Sequence, residues 1–299
     1  MLRSPHQVVI GTNDIEAQAR WWEALGFTRR LVDPLPAEAA HSLYGLIGVT
    51  EQLEVFVPGA ASGSIRLVHT PHEQPMIGPW DRGPHAIDLY TSDIGRSLDV
   101  SSAAGARIGG RLSYAYGALS MEEGKTVGPD NTVLVFVNIS KRRPSLLDSS
   151  PTRLHSEVHS VVNIVADVDE AGALWTGAAG LQKLADAVID TPGLADLMDL
   201  PKPVAARMGL YCDRAVAPIR LELLSFVGLD AADEGADIAT WPLRPGLPQC
   251  VWAVPSVAEA AVALAAGGAT VAAAVDTPAG PACSGLAPGG VRFELVTAP

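Results

Sequence analysis

Gln7-Val8-Val9-Ile10-Gly11-Thr12-Asn13-Asp14 is a short apolar run that ends on an acid, and Ile15-Glu16-Ala17-Gln18-Ala19-Arg20-Trp21-Trp22 follows it directly. The first stretch reads as a strand and the second as a helix. Asp14 stands where a helix needs its N-cap, since a carboxylate there accepts from the unpaired amides of the first turn. Glu16 suits the positive end of the helix dipole. Gly26 ends the helix, because a residue without Cβ enters the left-handed turn at little cost.

The same grammar recurs three times. Ala86-Ile87-Asp88-Leu89-Tyr90-Thr91-Ser92-Asp93 leads into a helix that ends near Ala104-Gly105. Ser160-Val161-Val162-Asn163-Ile164-Val165-Ala166-Asp167 leads into Val168-Asp169-Glu170-Ala171. Gln249-Cys250-Val251-Trp252-Ala253-Val254-Pro255-Ser256 leads into Val257-Ala258-Glu259-Ala260. Each strand opens seven residues before its capping Asp or Ser. Strand-like runs follow every helix, among them Gln52–Val57, Ser64–His69, Thr132–Val137, Pro218–Leu224 and Val291–Val296. Each unit is therefore read as a β-α-β-β-β module.

The first and third modules are long, carry an extra helical stretch (Ala37–Leu46 and Pro192–Leu197), and end in Ile-Arg-Leu. The second and fourth are shorter and place Pro129 or Pro288 before the last strand. This long-short-long-short order implies a duplicated pair. The N-terminal half spans residues 1–142, with modules at 6–72 and 84–140; the C-terminal half spans 156–299, with modules at 157–227 and 247–299. A linker rich in Arg, Ser and Pro occupies 143–155.

The strand-Asp-helix openings and the closing Arg-Leu-Glu-Leu-Leu and Phe-Glu-Leu-Val strands resemble the vicinal oxygen chelate superfamily, the group of glyoxalases, bleomycin-resistance proteins and extradiol dioxygenases. The resemblance covers nearly the whole chain and speaks for fold far more than for reaction. It implies an α+β protein of four βαβββ modules in two tandem domains, each a cup of two modules. It also implies metal ligands on the first and last strands of each module. In the N-terminal half those positions hold Gln7, Val68, Ala86 and Val135, so that half is expected to be metal-free. In the C-terminal half they hold Ser160, Glu222, Gln249 and Glu294. Two carboxylates and an amide would make a hard oxygen site, favouring Mg or Mn over Zn, Ni or Fe. The C-terminal half is thus the candidate active cup, with Glu222 and Glu294 as the acid–base pair and a divalent metal or no cofactor at all.

The residues also allow plainer readings. Glu222 and Glu294 are each two residues from an Arg, as on the wet face of an edge strand. His159 precedes Ser160 by one, which in a regular strand aims it at the opposite face; a bulge would turn it inward. Asp88 and Tyr90 alternate with Ala86 and, with His159, are candidates for substrate contact. Tyr114, Tyr116 and Glu122 are further candidates for a polar pocket, and equally ordinary sheet residues. Trp21, Trp22 and Trp175 read as core.

The net charge is −12 and the one basic cluster, Lys141-Arg142-Arg143, lies beside the linker, so no nucleic-acid partner is expected. No signal core or membrane span is apparent. Cys212, Cys250 and Cys283 form no CxxC pair and read as reduced thiols in a cytoplasmic protein. The partner is then a small molecule, and the chain a monomer or homodimer. The activity expected from the resemblance is a glyoxalase- or dioxygenase-like reaction on an oxygen-bearing small molecule, with isomerase or lyase chemistry assisted by metal or carboxylate. The alternatives are a metal-free binding or antibiotic-resistance protein that sequesters its ligand, and a ring-cleaving extradiol dioxygenase-like enzyme, which the missing imidazoles disfavour. Metal content and activity with and without chelator separate them.

Overall fold

The computed structural model describes residues 2–3, 5–71, 77–213, 219–229, 235–237 and 242–298. The four modules are present. The first holds β1 (Gln7–Thr12), α1 (Ile15–Ala24), β2 (Thr28–Leu31), α2 (Ala37–Tyr44), β3 (Gln52–Phe56) and β4 (Ser64–His69). The second holds β5 (Gly83–Thr91), α3 (Ile94–Ala103), β6 (Arg107–Tyr116), β7 (Leu119–Val127) and β8 (Val133–Ile139), and the short α4 (Leu146–Ser149) follows it. The third holds β9 (His155–Ile164), α5 (Val168–Thr176), β10 (Gln182–Ile189), α6 (Leu194–Met198), β11 (Ala205–Cys212) and β12 (Arg220–Val227). The fourth holds β13 (Pro248–Val254), α7 (Val257–Ala266), β14 (Thr270–Val271), β15 (Val275–Thr277), β16 (Gly280–Ala287) and β17 (Val291–Thr297).

The capping residues do what the sequence asks of them. Asp14 accepts from the Ala17 amide at 2.8 Å, Asp93 from Arg96 at 3.0 Å, and Ser256 from Glu259 at 3.2 Å. Asp167 accepts from both Asp169 and Glu170. Such caps contribute about 1 kcal/mol each.

The modules pair in a different order from the one the duplication suggests. One sheet runs β14-β16-β17-β13-β1-β4-β3-β2, with β15 on β16, and joins the first module to the fourth. The other runs β10-β11-β12-β9-β5-β8-β7-β6 and joins the second to the third. The joins are antiparallel pairs of opening strands, β1 with β13 (Val9↔Gln249) and β5 with β9 (Asp88↔Ser160). Each half of the chain thus gives one module to each cup. The pairing of modules one with two and three with four, expected from sequence, is corrected: the edges of all four opening strands are alike in pattern, and the chain joins the outer two and the inner two.

The two sheets turn their convex faces and helices toward one shared core. Val8 and Ile10 of one sheet and Ile87, Leu89 and Val161 of the other belong to a single buried cluster with Trp21, Trp22 and Trp175. All three tryptophans are fully buried, as expected. Trp175 stacks on Trp252 at 5.0 Å, which ties the third module to the fourth. The two cups are therefore held by one core rather than by two. The three cysteines are free and buried. No helix among the described residues is long and apolar enough to cross a membrane.

Candidate functional site

The concave face of the second-and-third-module sheet encloses a cavity of about 310 Å³. Its walls are largely apolar: Val133, Val135 and Val137 from β8, Val162 from β9, Met208 and Leu210 from β11, and Leu194 and Leu197 from α6. Its polar groups come from facing strands of both halves. β5 supplies Asp88 and Tyr90, β7 supplies Glu123, β9 supplies His159, and β12 supplies Arg220 and Glu222. Tyr114 of β6, His85 of β5, Lys125 of β7, Lys141 and Arg143 also line it. The cavity is closed on one side by α6, whose backbone rides directly on Gly110 of β6. A Cβ on Gly110 would lie 2.3 Å from the Asp196 carbonyl oxygen.

Two bulges shape the floor. Asp88 pairs with Ser160 and the next residue, Leu89, with Val158, so His159 is an extra residue on β9. Pro84 pairs with Asn163 and Ala86 with Val162, so His85 is an extra residue on β5. A bulged residue leaves the alternation of the strand and is re-aimed. Both histidines line the cavity, and both are almost fully buried. His159, whose place in a regular strand is the convex face, is turned inward in this way. Its ring stacks on Tyr90 with centroids 3.7 Å apart and planes 12° apart.

The acids sit in a place that penalises charge. Burial raises Asp88 well above the ordinary carboxylate range, and the charges of Glu222 and Glu123 add to it, against Arg220 and the Ser160 hydroxyl. Burial raises Glu222 to about 7, with Arg220 opposing and Glu123 reinforcing. Burial likewise raises Glu123 to about 7, although the Tyr114 hydroxyl donates to it at 2.9 Å. His159 is lowered well below its ordinary value by burial and then by Arg220, and His85 falls to about 3 by burial and Lys125. Near neutral pH the cup therefore holds carboxylic acid and carboxylate side by side, with neutral imidazoles.

The other cup is filled. Val9, Ala39, Ala40, Leu43, Val68, Val251 and Ala282 form a buried cluster inside it, with α2 as the plug. Beneath α2, Glu294 accepts from Arg66 at 2.5 Å and from the Tyr44 hydroxyl at 2.5 Å. Burial works against the Arg66 charge, and Glu294 and Tyr44 more than restore it. Gln249 is buried close by, and its carboxamide makes no hydrogen bond among the described residues.

These placements correct the site read from sequence. Glu222 and Ser160 lie in the open cup, Glu294 and Gln249 in the filled one, so the set Glu222, Gln249, Glu294 and Ser160 is not brought together. The reason is the pairing of modules: the third and fourth do not share a sheet. At the four positions where the resemblance puts ligands, the open cup offers Ala86, Val135, Ser160 and Glu222, with a single carboxylate. Among the described residues no group of three or more His, Cys, Asp or Glu side chains is arranged to hold a metal ion. At those four positions one carboxylate and one hydroxyl leave too few donors for Mg, Mn or another divalent ion. Asp88, Tyr90 and His159 do come together, with Glu222. Of the further candidates, Tyr114 lines the cavity, Glu122 instead pairs with Arg111 outside it, and the Tyr116 side chain lies outside the described residues. Glu123 and Arg220 were missed. Glu123 shares one face of β7 with Met121 and Lys125, and all three line the cavity.

Glyoxalase I from Zea mays matches 99% of this chain and 92% of its own length, with TM-score 0.65 and 13% identity. A candidate dioxygenase from Bacillus subtilis matches 100% of this chain and 86% of its own, with TM-score 0.63 and 13% identity. The chain has the vicinal oxygen chelate fold. No family model matches the sequence, and no curated protein is similar to it at a significant level. At this identity the likeness to solved structures carries the fold alone, and function rests on the cup.

Proposed function

We propose that the cup built from the second and third modules binds an apolar, oxygen-bearing small molecule and moves a proton on it without a resident metal, as an isomerase or lyase would. The observation that carries this reading is the meeting of Asp88 and Glu222, from opposite halves of the chain, in one apolar cavity. Burial raises both, and the charge of Glu222 raises Asp88 further, so one is set up to be protonated while the other is ionised. The carboxylate takes a proton from the carbon beside the ligand's oxygen-bearing group, and the carboxylic acid returns one, so no net charge is made in the cup. Glu123, held by Tyr114, is the third carboxyl of the set. The test is deuterium uptake from D2O at the α-carbon of 1-tetralone, followed by NMR. Acceleration over buffer is expected, unchanged by a chelator, and about a hundredfold loss in Glu222→Gln. If 1-tetralone binds the protein and its exchange stays at the buffer rate, the cup sequesters its ligand and does no proton chemistry.

A further inference from the structure

His159 has its two ring nitrogens in different settings. Nδ1 lies 2.6 Å from Nη2 of Arg220 and 3.1 Å from Oγ of Ser160. A guanidinium only donates. Nδ1 is therefore the accepting nitrogen, and in the neutral ring the proton sits on Nε2. That N–H has no partner among the described residues, although His159 is only 3% exposed and lines the cavity. A buried donor left unpaired carries its whole desolvation penalty. The ring is also held against turning away, since it stacks on Tyr90 and the Arg220 guanidinium lies 5.9 Å from the centre of the Tyr90 ring.

We infer that Nε2–H of His159 is the group that reads the ligand, and that the ligand is an apolar molecule presenting a carbonyl-type acceptor oxygen to it. This rests on the cup being the ligand site. A donor fixed in a cavity wall selects an acceptor at that point of the wall. The apolar part of the same cavity lining, Val135, Val162 and Leu197 among it, takes a hydrocarbon scaffold. Arg220 acts here as a positioning residue: it donates to Nδ1 and so fixes which nitrogen carries the proton. The arrangement also suits proton transfer. Negative charge that develops on the carbonyl oxygen meets an N–H backed by a guanidinium, which stabilises it where it forms.

The experiment uses the full chain labelled with ¹⁵N-histidine, with 1-tetralone as the ketone probe and tetralin, the same scaffold without oxygen, as its control. The wild-type ring should show the Nε2–H tautomer at neutral pH, and Arg220→Gln should turn it into a mixture. 1-Tetralone should bind at least about fivefold tighter than tetralin, the scale of one hydrogen bond. It should also move the Nε2 resonance, which tetralin should not. In His159→Phe, which keeps the stacked ring, the preference should fall below about twofold. Equal affinity in the wild type, a preference that survives in His159→Phe, or a proton found on Nδ1 overturns the inference. If His159→Phe does not fold, the wild-type affinity ratio and Nε2 shift decide alone. Binding with the preference but without α-exchange overturns the proton-transfer reading and leaves this inference standing. Binding of neither compound overturns both.

Discussion

Asp88 and Glu222 stand on either side of β9, at successive positions of the same face: Asp88 is opposite Ser160, and Glu222 is opposite Val162. Neither half of the chain contains the pair by itself.

The first prediction concerns the pH dependence of stability. Glu222 is raised to about 7 in the folded protein, from an ordinary value of 4.5. Between those values the folded state holds a proton that the unfolded state releases, so its contribution to stability is full below about pH 4.5 and is lost as pH rises through about 7. Glu222→Gln cannot ionise, and this fall should be flatter in the variant. At pH 8 the variant should be the more stable protein, by on the order of 2 kcal/mol. Urea unfolding at pH 5, 6, 7 and 8 checks this. A parallel pair of pH curves would show that Glu222 is solvated.

Replacing Glu294 is expected to change stability in the opposite direction. It is fully buried and paired with Arg66, and Tyr44 donates to its second oxygen. Removing one partner of a buried ion pair leaves the other charge uncompensated. Glu294→Gln is expected to destabilise the protein by about 3 kcal/mol, and to leave 1-tetralone binding unchanged, since Glu294 is in the other cup. Stability that holds or rises would show that the pair with Arg66 does not stabilise the fold.

A third prediction concerns acid. His155 of β9 is buried between modules, its Nδ1 2.9 Å from the Leu25 carbonyl oxygen and its Nε2 3.0 Å from the Ser97 hydroxyl. Burial lowers it to about 4, with the Leu25 carbonyl opposing. A lowered folded value means that the unfolded chain takes up a proton first. The stability His155 gives is present above about pH 6.5 and is lost as pH falls toward 4. His155→Phe should flatten this acid limb and, by leaving the Leu25 carbonyl unpaired, cost about 1–3 kcal/mol at pH 7. Proton uptake on unfolding at pH 5.5, measured with and without the substitution, checks the sign.

The modules were legible in the sequence because their signals are local. A strand that closes on Asp14, Asp93, Asp167 or Ser256 announces both the helix and its starting residue. The choice of partner module is not local. β1, β5, β9 and β13 carry the same pattern, and nothing in any one of them says which other it meets; the pairing of the first with the fourth module and the second with the third is a property of the assembled sheets. This is why Glu222 and Glu294 were read as one pair. The bulge that turns His159 inward is likewise a property of two strands in register, and a single strand's alternation points the other way. Glu122 and Glu123 show the same limit: adjacent strand residues face opposite sides, and only the pairing of β7 tells which is inside.

The last prediction concerns the closure of the cup. At Gly110 a Cβ would meet three backbone atoms of α6: the Asp196 oxygen at 2.3 Å, the Asp196 carbonyl carbon at 2.5 Å and the Leu197 Cα at 2.6 Å. No rotamer change relieves a clash with backbone, so Gly110→Ala must lift α6 away from β6. The helix takes Leu194 and Leu197 with it, and both line the cavity. Overpacking of this kind costs about 1–3 kcal/mol. Because the strain falls on α6 alone, amide exchange should quicken over residues 194–198 and stay slow in β5 and β9. The loosened wall should weaken binding of 1-tetralone and tetralin by a similar factor, since it removes apolar contact and leaves His159 in place. Loss confined to 1-tetralone would mean that α6 orders the polar floor as well. Unchanged exchange in 194–198 would mean that α6 does not rest on Gly110.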